Sequence, residues 1–110
     1  IDGVISLTGS GDVKPTKESQ FELFSGNASS QVIGKMDEFF LIDNYTLTQQ
    51  DVDDFYNGGN GNSALELFPT AVMVYDFNSS TGLTLFDKTT GGNNGTLEGF
   101  VDDDSQWVTH

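Results

Sequence analysis

Short apolar runs alternate along this chain with stretches rich in Gly, Asn, Ser, Thr and Asp. That rhythm is the punctuation of an all-β protein. Residues 4–7 read as a strand turned by Gly9-Ser10-Gly11-Asp12, and residues 21–24 alternate as a second strand closed by Ser25-Gly26-Asn27. The longest apolar stretch is 32–43. A period of two places Asp37, Phe39 and Leu41 on one face and Glu38, Phe40 and Ile42 on the other. Both faces are mostly apolar, so the strand is expected to be covered twice, its second face by a helix or by another chain.

One helix is predicted over 48–57. Thr48 is a good N-cap, Asp51 suits the positive end of the helix, and Val52, Phe55 and Tyr56 make a single apolar stripe. Asn57-Gly58-Gly59 ends it. The run 57–63 (NGGNGNS) and Pro69 mark a break, so residues 63–70 are expected to be a linker, with Leu65 and Leu67 in a brief bridging strand. Residues 71–78 then read as a strand with Met73, Tyr75 and Phe77 on one face. Residues 83–86, 96–101 and 106–109 follow as further strands, with Asn94-Gly95 as a strong turn and Asp102-Asp103-Asp104 as an acidic one.

Composition narrows the partners. The 110 residues carry 17 acidic and 4 basic side chains, a net charge of −13. The basic residues Lys14, Lys17, Lys35 and Lys88 are scattered, which argues against nucleic acid and against an anionic membrane surface. No apolar run is long enough to span a bilayer, so no membrane insertion is expected. With 9 Phe, 3 Tyr and 1 Trp the chain has apolar anchors that an acidic disordered tail lacks. There is no cysteine, hence no disulfide framework and no thiolate chemistry. Ile1 reads as a mid-chain residue, so the sequence is expected to be a piece of a longer polypeptide.

Two stretches carry a family resemblance. In 34–57, Gly34, Met36, Asp37, Glu38, Leu41, Leu47, Thr48, Asp51, Val52 and Tyr56 fall on a pattern of the form G-x-ϕ-D-E followed by L-[ST]-x-x-[DE]-ϕ and a final Tyr, where ϕ is apolar. This resembles the closing segment of laminin-G-like, concanavalin A-like jelly-roll domains. In 74–107, Tyr75, Phe77, Gly82, Asp87, Asn94, Gly95, Leu97 and Trp107 resemble the opening segment of the same family. Ile1-Asp2-Gly3-Val4 is similar to a turn before its last strands.

The order is inverted, and the central strands of the family have no counterpart. Residues 1–62 would be the C-terminal part of one sandwich and 71–110 the N-terminal part of another. A tandem array, a fragment of a longer chain and a circular permutation all fit; the first two together fit best. The resemblance implies an antiparallel β-sandwich, incomplete or permuted, whose first and last strands are neighbours. It also implies a non-catalytic role in adhesion or glycan recognition outside the cell, at the cell surface or on a virion. The other reading is a structural repeat or decoration module of a virion, fibre or filament that packs on copies or neighbouring repeats of itself.

Candidate chemistry follows. The only His is the last residue, His110, so no mid-chain Ser-His-Asp relay exists. Asp37, on the face taken as inward, would converge with Asp76 and Asp87 as calcium ligands; the alternative is a carboxylate satisfied by backbone N–H groups. Tyr45 and Trp107 are candidate sugar platforms, with core packing as the alternative. Phe40 and Ile42 would form the interface with another copy. Asn-x-Ser/Thr sequons begin at Asn27, Asn44, Asn78 and Asn94, matches expected by chance in so Asn-rich a chain.

Overall fold

The structure is a computed structural model that describes Leu23 and residues 34–108. The expected strands at 4–7 and 21–24, the turns beside them, Asn27 and His110 lie outside the described residues, apart from Leu23. The described part holds two small antiparallel sheets and two short helices. In chain order they are β1 (Phe39–Leu41), α1 (Gln49–Tyr56) with a 3-10 turn at Asn57–Gly59, α2 (Ala64–Leu67), β2 (Met73–Tyr75), β3 (Thr84–Leu85) and β4 (Gly95–Thr96).

β1 pairs with β2, facing Phe39 with Tyr75, Phe40 with Val74 and Leu41 with Met73. The stretches on either side of 63–70 therefore share one sheet. β3 pairs with β4, Thr84 facing Thr96 and Leu85 facing Gly95. β1 is shorter than the apolar run that contains it. Glu38 has φ +52°, which breaks extended backbone at one end, and Asn44, at φ +54°, turns the chain just beyond the other. The break also undoes the alternation, so Asp37 is exposed and does not share the inward face with Phe39.

The β1–β2 sheet divides two apolar clusters. On one side Val74, Ala64, Phe68 and Ala71 are buried, and Phe40, Ile42, Leu47, Phe55 and Leu67 pack against them. Phe40 stacks on Phe68 with ring centroids 4.5 Å apart and meets the ring of Phe55 edge-on at 5.4 Å. Phe40 and Ile42, expected at an interface with another copy, are thus covered by the chain's own helices. On the other side Met73, Tyr75 and Leu85 are buried, with Leu23, Phe39, Phe77, Leu97 and Trp107 against them. Met73, Tyr75 and Phe77 do lie in one cluster, as their spacing predicts.

α1 forms where the sequence places it. The Thr48 hydroxyl accepts from the Asp51 N–H, the Asp51 carboxylate accepts from the Thr48 N–H, and Asn57 ends the helix in the left-handed region. Gln49 and Gln50 each donate four residues on, to Asp53 and Asp54. The expected linker is a correction. Residues 63–70 carry α2, capped by Ser63, and Ala64 and Phe68 are 0% and 5% exposed. The backbone at 65–67 is helical, so no bridging strand forms. A four-residue helix has little intrinsic stability; burial of Ala64 and Phe68 against Val74 holds it.

Candidate functional site

Two polar constructions stand out: a loop closed around Asp87, and a cleft beside Glu38.

Residues 87–94 fold back onto β2. Asp87 Oδ1 accepts from the N–H groups of Val74 (3.1 Å) and Thr89 (2.9 Å) and from the Thr89 hydroxyl (2.8 Å). Its Oδ2 accepts from the Asn93 N–H at 2.9 Å, and its own N–H donates to Asn94 Oδ1 at 2.9 Å. Lys88 N–H donates to the Val74 carbonyl at 2.9 Å, so residues 87–88 serve the edge of β2 that β1 leaves open. The Tyr75 hydroxyl donates to the Asn93 carbonyl at 2.5 Å. Partial burial pushes the Asp87 carboxyl up. The donors of Thr89, Asn93 and Val74 more than reverse that and hold it at about 2. Tyr75 moves the opposite way, raised by burial and by the charge of Asp87.

Asp87 is therefore satisfied by backbone and hydroxyl donors, the arrangement given above as the alternative to a calcium ligand for Asp37. Asp76 Oδ1 accepts from the Asn78 N–H at 3.1 Å, and its Oδ2 lies 3.5 Å from Lys88 Nζ. Among the described residues, no three His, Cys, Asp or Glu side chains gather as a metal ion would require. Asp37, Asp76 and Asp87 are not brought together as calcium ligands.

The cleft has a volume of about 300 Å³ and is lined by Asp37, Glu38, Asn60, Gly61, Asn62, Ser63 and Asn78. Its lining is mostly polar, with carboxylates, amides, a hydroxyl and backbone among the groups exposed in it. The 57–63 loop forms one wall. It is tied to α1 by the Asn62 amide donating to the Asp54 carbonyl at 2.7 Å and by the Gly61 N–H donating to the Tyr56 carbonyl at 3.0 Å. Glu38 accepts from the Ala64 N–H, at the start of α2, at 3.1 Å. Burial raises its pKa, the Ala64 N–H opposes the rise, and the charges of Asp37 and Asp76 add to it. This cleft was not legible from residue types. Its residues are ordinary loop formers; the pairing of β1 with β2 brings 37–38 near 78, and the Ala64 N–H bond to Glu38 brings in 60–63.

The candidate platforms separate. Tyr45 is half exposed, and its hydroxyl donates to Asp51 Oδ2 at 2.8 Å, ahead of α1. That bond raises the Tyr45 pKa, while the Thr48 N–H and then the Tyr45 hydroxyl lower that of Asp51. Trp107 packs on the Met73, Tyr75 and Leu85 cluster, and its Nε1–H donates to the Gly82 carbonyl at 2.8 Å. Its indole serves packing. Gln106 donates to the same carbonyl at 2.9 Å, and Asp104 accepts from the Gly82 N–H at 2.7 Å. The chain bends at 102–104, as expected of the acidic turn, and no strand forms at 106–108, where one was expected to begin. Asp104 stays exposed while serving as that acceptor.

No family model, no curated protein and no solved structure matches this chain.

Proposed function

We propose that the chain is a non-catalytic module of a jelly-roll, laminin-G-like kind, from an extracellular, cell-surface or virion-surface protein, and that it recognises a glycan. One observation carries the reading: β1, from the stretch that resembles a closing segment, pairs antiparallel with β2, from the stretch that resembles an opening segment. First and last strands are neighbours in a closed jelly roll, so the pairing favours one permuted or shortened sandwich over the tail and head of two separate ones. The same pairing forms the polar cleft, whose amides, hydroxyl and carboxylates suit a polyhydroxylated ligand. Calcium is not part of this proposal.

A glycan array tests it. Binding by the native chain that weakens on Asn78→Ala and on Asp37→Ala supports recognition at the cleft. Binding that survives both but falls on Tyr45→Ala would move the site to the exposed ring ahead of α1.

The structural-repeat reading has one observation of its own. Among the described residues each sheet holds two strands, and short sheets invite pairing with further strands. Its contacts would then run along strand edges and not through Phe40 and Ile42. Absence of glycan binding together with concentration-dependent assembly would favour it.

A further inference from the structure

The described residues contain three Asn-Gly pairs, Asn57-Gly58, Asn60-Gly61 and Asn94-Gly95, and the fold treats them differently. In such a pair the glycine nitrogen can attack the asparagine side-chain carbonyl carbon. A C–N bond forms and the amide nitrogen leaves as ammonia. Water then opens the five-membered imide to aspartate or isoaspartate. The reaction needs only water, but it also needs room at the glycine and freedom for the side chain to turn onto the backbone.

Asn94-Gly95 has neither. Asn94 Oδ1 is held by the Asp87 N–H at 2.9 Å. Gly95 lies in β4 opposite Leu85. A Cβ placed on Gly95 would stand 3.3 Å from the Tyr75 hydroxyl and 3.5 Å from Leu85 Cβ, so the space beside it is already filled. At Gly58 and Gly61 nothing lies within 4 Å of the same position. All three asparagines are exposed, so the difference lies at the glycine and in what the side chain holds. The bonds of the first two stay within their own loop: Asn57 Nδ2 donates to the Gly61 carbonyl at 3.0 Å and to Asn62 Oδ1 at 3.4 Å, and Asn60 Nδ2 to the Asn57 carbonyl at 3.2 Å.

We infer that the 57–61 loop is a site of spontaneous deamidation, at Asn57 and Asn60, and that the fold protects Asn94. Conversion removes an amide donor that holds the loop and adds a negative charge at the C-terminal end of α1, where the helix dipole disfavours it. The wall of the cleft loosens as a result.

The test is peptide mapping by mass spectrometry of the folded chain aged in warm, mildly alkaline buffer, beside the same chain aged in denaturant. In denaturant the three pairs should convert at similar rates. In the folded chain, 57–61 should convert about tenfold faster than 94–95, the ratio set by roughly one hydrogen bond's worth of extra opening. Equal conversion at Asn94 in the folded chain overturns the inference, as does a loop that stays intact in the folded chain or in denaturant.

Discussion

Asp87→Ala removes the acceptor on which the 87–94 loop is built. Four donors lose their partner: the N–H groups of Val74, Thr89 and Asn93 and the Thr89 hydroxyl. They do not count equally. Val74 is 0% exposed, so its N–H has no water to turn to; such an orphaned donor costs about 1–3 kcal/mol. The other three lie nearer solvent, and each should cost about 0.5 kcal/mol. The expected loss is about 3 kcal/mol, or a melting point lower by on the order of 10–20 °C. A second signature comes from pH. The folded pKa of Asp87, about 2, lies below its ordinary 3.8. Its stabilisation is therefore present above the ordinary value and lost as pH falls through the folded one. The native chain should shed about 1–2 kcal/mol between pH 4 and 2 from this group, after discount for its contact with solvent. The variant should lack this contribution and keep only the acid loss that other carboxylates with lowered pKa, Asp51 and Asp103 among them, supply. Urea unfolding of both chains across this range reads the two effects together. A loss under about 1 kcal/mol at neutral pH, or an acid loss in the variant as large as in the native chain, would refute the reasoning.

Three further outcomes follow from the same geometry. Thr48→Ala breaks the capping box of α1 and should cost about 1 kcal/mol, read as a lower urea midpoint with an unchanged slope. Glu38→Gln keeps an acceptor for the Ala64 N–H and removes a charge whose folded pKa is raised. The native carboxylate destabilises once it ionises, so the variant should melt at or slightly above the native chain at neutral pH, with the difference shrinking as pH falls through the carboxyl range. Calcium or EDTA should leave the melting point unchanged, because a ligand stabilises only what it binds and the oxygens of Asp87 are already occupied; a rise with calcium would show a site elsewhere in the chain.

What could be read in advance was local. The Thr48 cap and the Asn57 stop lie within one helix, so sequence spacing reveals them; of the expected stripe Val52, Phe55 and Tyr56, Phe55 packs on the core cluster and Tyr56 is exposed. Met73 and Tyr75 share a cluster through the pleat of β2, Phe77 reaches it although its backbone leaves the strand at φ +52°, and Phe39 and Phe55 pack against the two clusters. What failed was set by backbone or by distant partners. The left-handed Glu38 turned Asp37 outward, which no residue-type rule foretells. α2 is too short for periodicity and sits between Gly-rich and Pro-bearing segments, so its burial came from tertiary packing alone. The partners of Asp87 are mainly backbone N–H groups, which every residue carries and which composition therefore hides. The packing of Trp107 on the Met73, Tyr75 and Leu85 cluster and its bond to the Gly82 carbonyl, 25 residues away, likewise depend on distant partners.

Two stretches more than thirty residues apart join in one sheet. Cross-strand proton contacts in solution NMR address it directly. Close contacts should appear between Phe39 and Tyr75, Phe40 and Val74, and Leu41 and Met73, in that antiparallel order. Contacts in another register, or none between 39–41 and 73–75 in the folded chain, would contradict both the fold and the proposed role.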